Sequence, residues 1–251
     1  MAVRSGRQTR PGKAVHRLLG NMAGWGANEM GMNTRNGRRR EAAEAVPALE
    51  SPWLPVQERA RQREVKRDAV VLAAARAFRE LGLHSTTLDD IASFLHVSKP
   101  TIYYYVSNKE QIIFECFRAG TAPITSLLVE LATARTPGRE RLQALVERYA
   151  ETMASDFGWC MVRVDDQDVS PAMGKRIRAL KSEIDQGIRA LIRAGIEDGS
   201  IRACDPKMTA FALAGALNGI GHWYRPDEPL RPQEIAAQFT ELFGAGLAPR
   251  P

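Results

Sequence analysis

The stretch that decides the fold is STTLDDIASFLHVSKPTIYYYVSNKE, residues 85–110. Thr87 and Asp90 stand three residues apart in the pattern of a capping box, in which the two side chains satisfy backbone N–H groups at a helix start. They predict a short helix with an apolar face made by Leu88, Ile91, Ala92 and Leu95. A helix of about two turns is not stable alone, so it must pack against neighbouring elements.

A second short helix follows at once. Ser98 can cap its N-terminus, and Pro100 fits its first turn because the N–H that proline lacks would be unpaired there. Ser107 and Glu110 repeat the capping-box pattern nine residues later and predict the start of a further helix.

An amphipathic helix precedes the two short ones. Gly82 supplies its stop, and its apolar residues recur with helical spacing at Val70, Ala73, Ala74, Ala77, Phe78 and Leu81. A longer helix followed by two short helices, with a tight turn at residues 96–98, is the arrangement of a helix-turn-helix DNA-binding domain. The last helix of such a domain enters the major groove.

Three consecutive tyrosines occupy that last helix. They cannot share one surface, because successive residues of a helix point about 100° apart. With Ile102 directed inward, Tyr103 and Tyr104 diverge toward the DNA backbone, whereas Tyr105 stays near the packed side. A phenol suits this boundary, since its ring is apolar and its hydroxyl can bond a phosphate oxygen.

Polar residues beside the tyrosines extend the predicted DNA-contacting surface. Lys99 and Thr101 are exposed early in the helix and can reach bases; lysine pairs with guanine O6 and N7. Thr87 can donate to a phosphate, and Lys109 stands at a helix N-terminus, where free N–H groups favour an anion. Three aromatics could instead be plain core and two lysines a solvated face, but the ordered succession of capped helices favours DNA binding.

Residues 63–113 resemble the N-terminal domain of the TetR family of bacterial transcriptional regulators, through AARAFRELGLHSTTLDDIASFLHVSKPTIYYYVSNKEQI. The resemblance implies DNA contacts at six positions, and the helix start adds two more; the predicted DNA-binding residues are Thr87, Ser98, Lys99, Pro100, Thr101, Tyr103, Tyr104 and Lys109. Two positions depart from the family pattern. His96 replaces a usual turn glycine, so a positive φ there would be strained, and Val106 replaces a common phenylalanine.

The rest of the chain also predicts helices, near residues 109–133, 138–156, 170–198, 206–224 and 232–246, and shows no sustained β alternation. TetR-like proteins join the DNA-binding domain to an all-helical domain for ligand binding and dimerisation. The expected architecture is therefore all-α, with a basic disordered extension over 1–57, a helix-turn-helix domain over 58–118 and a C-terminal domain over 119–251.

A dimer interface is predicted in the last two helices. Residues 205–247 resemble the pair that forms a four-helix interface in many family members. They offer small side chains for close helix approach and aromatic side chains for apolar area. The predicted interface residues are Phe211, Ala214, Gly215, Asn218, Phe239 and Phe243; the alternative is that these residues pack within one chain.

The segment ASDFGWCMVRVDDQDVSP, residues 154–171, is either simple core or the wall of a ligand pocket. The pocket prediction places Phe157, Trp159, Met161 and Val164 on an apolar wall and uses Arg163 as a polar anchor. HWYRPDEPL, residues 222–230, resembles regulators of lipid or acyl-CoA catabolism, which suggests a bulky apolar or acyl-thioester effector.

Charge is unevenly distributed along the chain. Residues 1–66 carry thirteen Lys/Arg against six Asp/Glu, a net +7, while the whole chain carries +6. A basic leading segment indicates a polyanionic partner or a solvated tail. Three cysteines far apart in sequence fit a reducing cytosol and give no zinc pattern, and no apolar run reaches the roughly 18 residues of a membrane helix.

An enzyme is the competing class. DDQD, residues 165–168, offers carboxylates and Cys160 a nucleophile, but only His222 lies beyond position 96 among the histidines. No glycine-rich phosphate loop is present, so we predict no catalysis, no metal and no cofactor. The predicted function is a cytoplasmic, ligand-responsive repressor that binds a palindromic operator as a homodimer; the alternatives are an activator and a non-specific DNA-binding protein.

Overall fold

The computed structural model describes residues 55–165, 168–227 and 229–249, and no residue within these ranges forms a strand. The predicted all-α class is confirmed. The helices are α1 (Val56–Leu81), α2 (Leu88–Phe94), α3 (Lys99–Tyr105), α4 (Lys109–Thr133), α5 (Gly138–Met153), α6 (Asp156–Arg163), α7 (Pro171–Glu197), α8 (Pro206–Trp223) and α9 (Pro232–Leu247).

The three-helix unit predicted from the sequence is present. Helices α1 to α3 and the start of α4 enclose a core whose largest side chains, Phe78, Ile91, Ile102 and Ile112, are fully buried. Thr86 closes the turn after α1, because its buried hydroxyl donates to the carbonyl oxygens of Gly82 at 2.8 Å and Ala77 at 3.2 Å. We refer to this unit as the head.

The capping predictions have mixed outcomes. The box of Thr87 and Asp90 is confirmed, with both reciprocal hydrogen bonds present. The predicted box of Ser107 and Glu110 is wrong. Asn108, one residue nearer the helix, caps α4 by accepting a hydrogen bond from the backbone N–H of Gln111 at 2.8 Å.

The turn between α2 and α3 carries the strain predicted for it. His96 has φ 53°, in the left-handed region that favours glycine. Val106, the other departure from the family pattern, is buried at the end of α3. A smaller side chain than phenylalanine therefore still closes this part of the core.

Helices α4 to α9 form a second helical bundle, and α4 runs without interruption through both parts. The helix predicted near 138–156 is present as α5 but ends at Met153, and a helix that was not predicted, α6, begins at Asp156. The break has a local cause: the side chain of Ser155 caps α6 by accepting from the backbone N–H of Gly158 at 3.2 Å. Where α5 meets α7, a Cβ on Gly138 would lie 2.3 Å from the Cα of Gly195, so only glycine permits this approach.

The predicted disordered extension over 1–57 lies outside the described residues except for its last three. Of these, Val56 and Gln57 already belong to α1. Among the described helices, α4 alone is long and apolar enough to cross a membrane, but 56% of its most apolar window is buried in the protein. One helix of this kind is weak support for a membrane span, because core helices have the same composition.

Candidate nucleic-acid interface and effector cavity

Helix α3 presents a polar and aromatic face to solvent. Ile102 is fully buried, whereas Tyr103 is 49% exposed and Tyr104 is 62% exposed. Tyr105 packs against the core, as helical geometry predicts, and its ring lies edge-on to that of Tyr104 with centroids 5.0 Å apart. The three tyrosines are therefore divided between solvent and core.

The start of α3 is held by hydroxyl groups. Ser98 occupies the N-cap position but makes no capping hydrogen bond with its side chain. Its hydroxyl instead lies 2.9 Å from that of Thr101. Ser98, Thr101 and Pro100 are all exposed, so this end of the helix presents hydrogen-bonding groups to solvent.

Lys99 is exposed but has a protein partner. Its Nζ donates to Oδ2 of Asp89, on α2, at 2.6 Å. This hydrogen bond, with the attraction of the carboxylate, raises the pKa of Lys99. Nothing in the spacing of the sequence indicated the pair, because Asp89 and Lys99 meet only through the turn at residues 95–98.

Lys109 and Thr87 lie close together on the same side of the head. The Nζ of Lys109 donates to the backbone oxygen of His84 at 2.8 Å, while the Thr87 hydroxyl donates to Oδ2 of Asp90 at 2.7 Å. Partial burial lowers the pKa of Lys109. The hydrogen bonds from Thr87 lower the pKa of Asp90, with a smaller contribution from the charge of Lys109.

One basic residue near this surface was not predicted from the sequence. The guanidinium carbon of Arg63 lies 5.0 Å from the centroid of the Tyr104 ring, so α1 contributes a cation beside α3. The arginine-rich composition of residues 59–67 was the available signal, but it did not reveal which side chain turns toward α3.

The C-terminal bundle contains a cavity of about 350 Å³. Its apolar wall is formed by Phe117, Met161, Val164, Ile184, Ile188 and Phe211, and its polar groups come from Tyr149, Asp165, Lys181, Asp185, Asn218 and His222. The Tyr149 hydroxyl donates to Oδ1 of Asn218 at 2.9 Å. Burial raises the pKa of Tyr149 to about 12, so at neutral pH this phenol is a neutral hydrogen-bonding group inside the cavity.

Only part of the predicted pocket set faces this cavity. Met161 and Val164 line it. Phe157 instead lies against Gly120 on α4, and Trp159 faces a separate cleft that contains arginine side chains. The guanidinium carbon of Arg163 lies 5.6 Å from the ring centroid of Trp159. The predicted set is divided because successive residues of a short helix point in different directions.

The predicted dimer residues divide between the cavity and solvent. Phe211, Ala214 and Asn218 line the cavity, yet Phe211 is also 50% exposed. Gly215 is exposed, and a Cβ placed there would meet nothing within 4 Å among the described residues. On α9, Phe239 and Phe243 are half-buried with ring centroids 6.3 Å apart. Leu242 between them is 67% exposed.

Polar contacts connect the cavity wall with the head. Asp165 lines the cavity, and its backbone N–H donates to Oδ2 of Asp168 at 2.6 Å. The other oxygen of Asp168 lies 3.2 Å from Nε2 of His84. Nearby, the Ser170 N–H donates to Glu110 at 2.7 Å. Hydrogen bonding from the side chain of Ser170, and then from this backbone N–H, lowers the pKa of the Glu110 carboxyl.

The side chains that could have served an enzyme, Cys160 and the acidic cluster at residues 165–168, do not form a metal site among the described residues. Cys160 is buried, and its hydrogen bond with Cys116, together with burial, raises the pKa of the Cys116 thiol. Asp166 and Gln167 of the acidic cluster lie outside the described residues. Across the ranges that the structure describes, no group of three His, Cys, Asp or Glu side chains could hold a metal ion.

Comparison with known sequences identifies both parts of the chain. A family described as "Bacterial regulatory proteins, tetR family" matches residues 70–116. A second, described as "Tetracyclin repressor-like, C-terminal domain", matches residues 135–247. The two matches fall on the head and on the bundle respectively.

Individual relatives are similar over most of their length. The transcriptional repressor KstR2 of Rhodococcus jostii is 26% identical, with 73% of this chain and 91% of that protein covered. The transcriptional activator FasR of Mycolicibacterium smegmatis is 23% identical, with 73% and 83% covered.

Solved structures share the fold. The TetR family regulator PfmR of Thermus thermophilus has a TM-score of 0.64 at 26% identity, over 72% of this chain and 99% of that one. AibR, solved in complex with isovaleryl coenzyme A and operator DNA, has a TM-score of 0.61 at 22% identity, over 70% of this chain and 97% of that one.

Proposed function

The chain belongs to the TetR family of DNA-binding transcriptional regulators, and from that premise we propose that it is a ligand-responsive repressor that binds a palindromic operator as a homodimer. The regulators named among its relatives include both repressors and an activator. None of those relatives is named as an enzyme, and this chain is a regulator rather than an enzyme.

The exposed face of α3 is the observation that carries the proposal. Lys99 and Thr101 stand at its start, where a recognition helix meets base edges, and Tyr103 and Tyr104 extend into solvent farther along. Lys109 lies where its charge and the N-terminus of α4 favour a phosphate. Ser98 and Pro100 shape the helix start, and Thr87 supplies a hydroxyl near Lys109.

Selection of the preferred site from a random pool of duplex DNA tests this proposal. A two-fold dimer with one reading helix per protomer should select a near-palindrome, with half-sites separated by about one helical turn or a multiple of it. Enrichment of no sequence, combined with strong salt dependence, would instead favour a non-specific DNA-binding protein.

The homodimer is proposed to form through α8 and α9. Phe211 and Leu242 leave apolar side chains open to solvent on these two helices, and Gly215 leaves a stretch of helix backbone uncovered. An exposed glycine inside a helix costs about 1 kcal/mol relative to alanine, and close approach of a partner helix would offset that cost. Sedimentation equilibrium tests the dimer, and a monomer at micromolar concentration would contradict it.

The effector is proposed to be a bulky apolar or acyl-CoA-type molecule held in the cavity. The apolar wall suits an acyl chain, while Tyr149, Asn218 and Lys181 can hydrogen-bond a polar end. The fold itself is compatible with such ligands, because AibR holds isovaleryl coenzyme A together with operator DNA. The hydrogen bond from Asp165 to Asp168, whose other carboxylate oxygen lies beside His84, offers a physical route to the head, provided the effector prefers one head arrangement.

Thermal unfolding with acyl-CoAs of increasing chain length tests the effector class. Ligand binding to the native state should raise Tm, and replacing Met161 by tryptophan should abolish the rise by filling the cavity. Phe157→Trp is the control, since Phe157 lies on the same helix but does not line the cavity. Unchanged Tm for the unmodified protein at every chain length would exclude this class.

Activation is the second candidate, because FasR is an activator and the position of an operator relative to a promoter decides the sign. A reporter assay in the presence and absence of the protein separates the two. We further propose a cytoplasmic location. We also propose the division into a DNA-binding domain over 58–118 and a C-terminal domain over 119–251, although α4 is continuous across residue 118.

A further inference from the structure

The first three turns of α1 project from the head without a core to pack on. Every residue from Pro55 to Lys66 is exposed, and the first buried residue of the helix is Val70. Eleven residues of helix, from Val56 to Lys66, extend about 16 Å. Such a segment is not explained by burial, and it lies ahead of residues 70–116, the part that matches the family.

The basic residues of this segment form a stripe. Taking about 100° per residue, Arg59, Arg63 and Lys66 fall within about 60° of one another on the helix surface. Glu58, Glu64 and Asp68 are each at least about 80° away from that stripe by the same geometry. The stripe is therefore continuous and uninterrupted by acids, although the segment as a whole contains both signs of charge.

The stripe faces the same side as the exposed part of α3. Arg63, its middle member, lies over the ring of Tyr104 with its guanidinium carbon 5.0 Å from the centroid. Arg59 is one turn farther from α3 along α1, and Lys66 is nearly one turn nearer the core. Within the ranges that the structure describes, neither of these two side chains forms an ion pair or hydrogen bond.

We propose that Arg59, Arg63 and Lys66 form a second DNA-binding surface, which holds backbone phosphates beside the groove that α3 enters. This proposal rests on the function proposed above, since it places α3 in the major groove. Positive side chains on an exposed helix, with no acid between them, suit a polyanion such as the phosphate backbone, which lysine and arginine neutralise and contact. Arg63, already oriented by Tyr104, connects the two surfaces.

The alternative to direct phosphate contact is a solvated helix that contributes only net charge to DNA binding. It predicts that any three basic residues would have the same effect on DNA binding, wherever they lie. Contact with phosphates predicts instead that position matters, because the gain comes from counterions released where the side chain touches DNA.

The test compares two triple variants of the full chain that carry the same charge. The stripe variant is Arg59→Gln, Arg63→Gln, Lys66→Gln. The control is Arg61→Gln, Arg135→Gln, Arg193→Gln: Arg61 points to the opposite side of α1, Arg135 follows the far end of α4, and Arg193 is near the end of α7. All six side chains are exposed, so folding should be preserved, and the Tm of each variant checks this.

Operator affinity is then measured from low to physiological salt. We expect the slope of log K against log salt to fall by about 5 for the stripe variant, near 0.9 for each of the six phosphate contacts that the two stripes of the dimer provide, with no change in the selected sequence. The control should retain the slope of the unmodified protein. Phosphate ethylation should reveal interference positions that disappear in the stripe variant alone.

Three results would overturn the proposal: an unchanged slope in the stripe variant, an equal loss in both variants, or an altered consensus sequence in the stripe variant. Failure of the proposed function would give a different result from failure of the stripe proposal. If no palindrome is selected by the unmodified protein, that function is wrong, and the same two variants compared on a random-sequence duplex still report whether the stripe contacts phosphates.

Discussion

The amino group of Lys99 lies 2.6 Å from the carboxylate of Asp89, so the residue best placed to read a base is paired within the protein before DNA arrives. Contact with guanine would require Lys99 to exchange this partner. Asp89 also places a negative charge on the surface proposed to meet DNA. Both effects oppose binding.

Replacing Asp89 by asparagine should therefore tighten operator binding, by several-fold at low salt, because it releases Lys99 and removes repulsion of phosphates. Affinity measured by fluorescence anisotropy checks this. Asp68→Asn is the charge-matched control on the far side of α1 and should have a smaller effect. Weaker binding by the Asp89 variant would mean that the pair positions Lys99 productively.

Substitutions of Lys99 or Thr101 and of Lys109 should have different consequences. Lys99→Ala or Thr101→Ala should change the preferred sequence, with a loss of about 1–3 kcal/mol at the base concerned. Lys109→Ala should weaken binding to all sequences and reduce the salt slope of the dimer by about 2, or about 1 for each lysine removed. Site selection with each variant separates these effects; a consensus sequence altered only by Lys109→Ala would reverse the assignment.

His96→Gly should stabilise the head. Relief of the left-handed backbone at φ 53° is worth about 1 kcal/mol, less what glycine adds to the entropy of the unfolded chain. An increase of about 2 °C in Tm is expected for a domain of this size. His96→Ala removes the same ring but keeps a Cβ, so it should not produce the increase; equal effects of both changes would assign the gain to the imidazole.

Leu242→Arg should shift the protein from dimer to monomer, because it places a charge in the face proposed to bury apolar area. Sedimentation equilibrium measures the shift, and operator affinity should fall with it, since two half-sites no longer bind as one unit. Val129→Arg on α4 is the control, as Val129 is similarly exposed at 68%. Dissociation caused by the Val129 variant instead would move the interface to α4.

Stability should fall in alkali through Tyr149. Its pKa is about 12 in the folded protein and about 10 when unfolded, so the unfolded chain loses this proton first as pH rises. The contribution is fully present below pH 10 and is lost progressively toward pH 12, by roughly 3 kcal/mol. Chemical denaturation across this range should show a flatter decline for Tyr149→Phe, while Tyr104→Phe, at an exposed ring, should follow the unmodified protein.

The local pattern of the sequence was sufficient for the head. Helical period, the box of Thr87 and Asp90, and proline in the first turn of α3 are signals within a few residues of one another, and the structure reproduces them. Local signals also predicted the split of the tyrosines, since a fixed rotation per residue determines it. The wrong cap at Ser107 shows their limit, because Asn108 beside it offers an equally suitable side chain.

The residues that line the cavity could not be predicted from local sequence patterns. Phe157, Trp159 and Met161 occupy one short helix, but Met161 alone among them faces the cavity, whose remaining wall comes from helices distant in sequence. Which side of α6 turns inward depends on the helices that pack around it, and no spacing within residues 154–171 contains that information.

The sequence by itself therefore determined the helix-turn-helix unit, the family and the helices other than α6, because these follow from short-range periodicity, capping and motif order. Tertiary structure alone decided the pairing of Lys99 with Asp89, the position of Arg63 over Tyr104 and the composition of the cavity. Each of these depends on where elements meet after packing, and the energy that selects those meetings is distributed over the whole core rather than encoded in neighbouring residues.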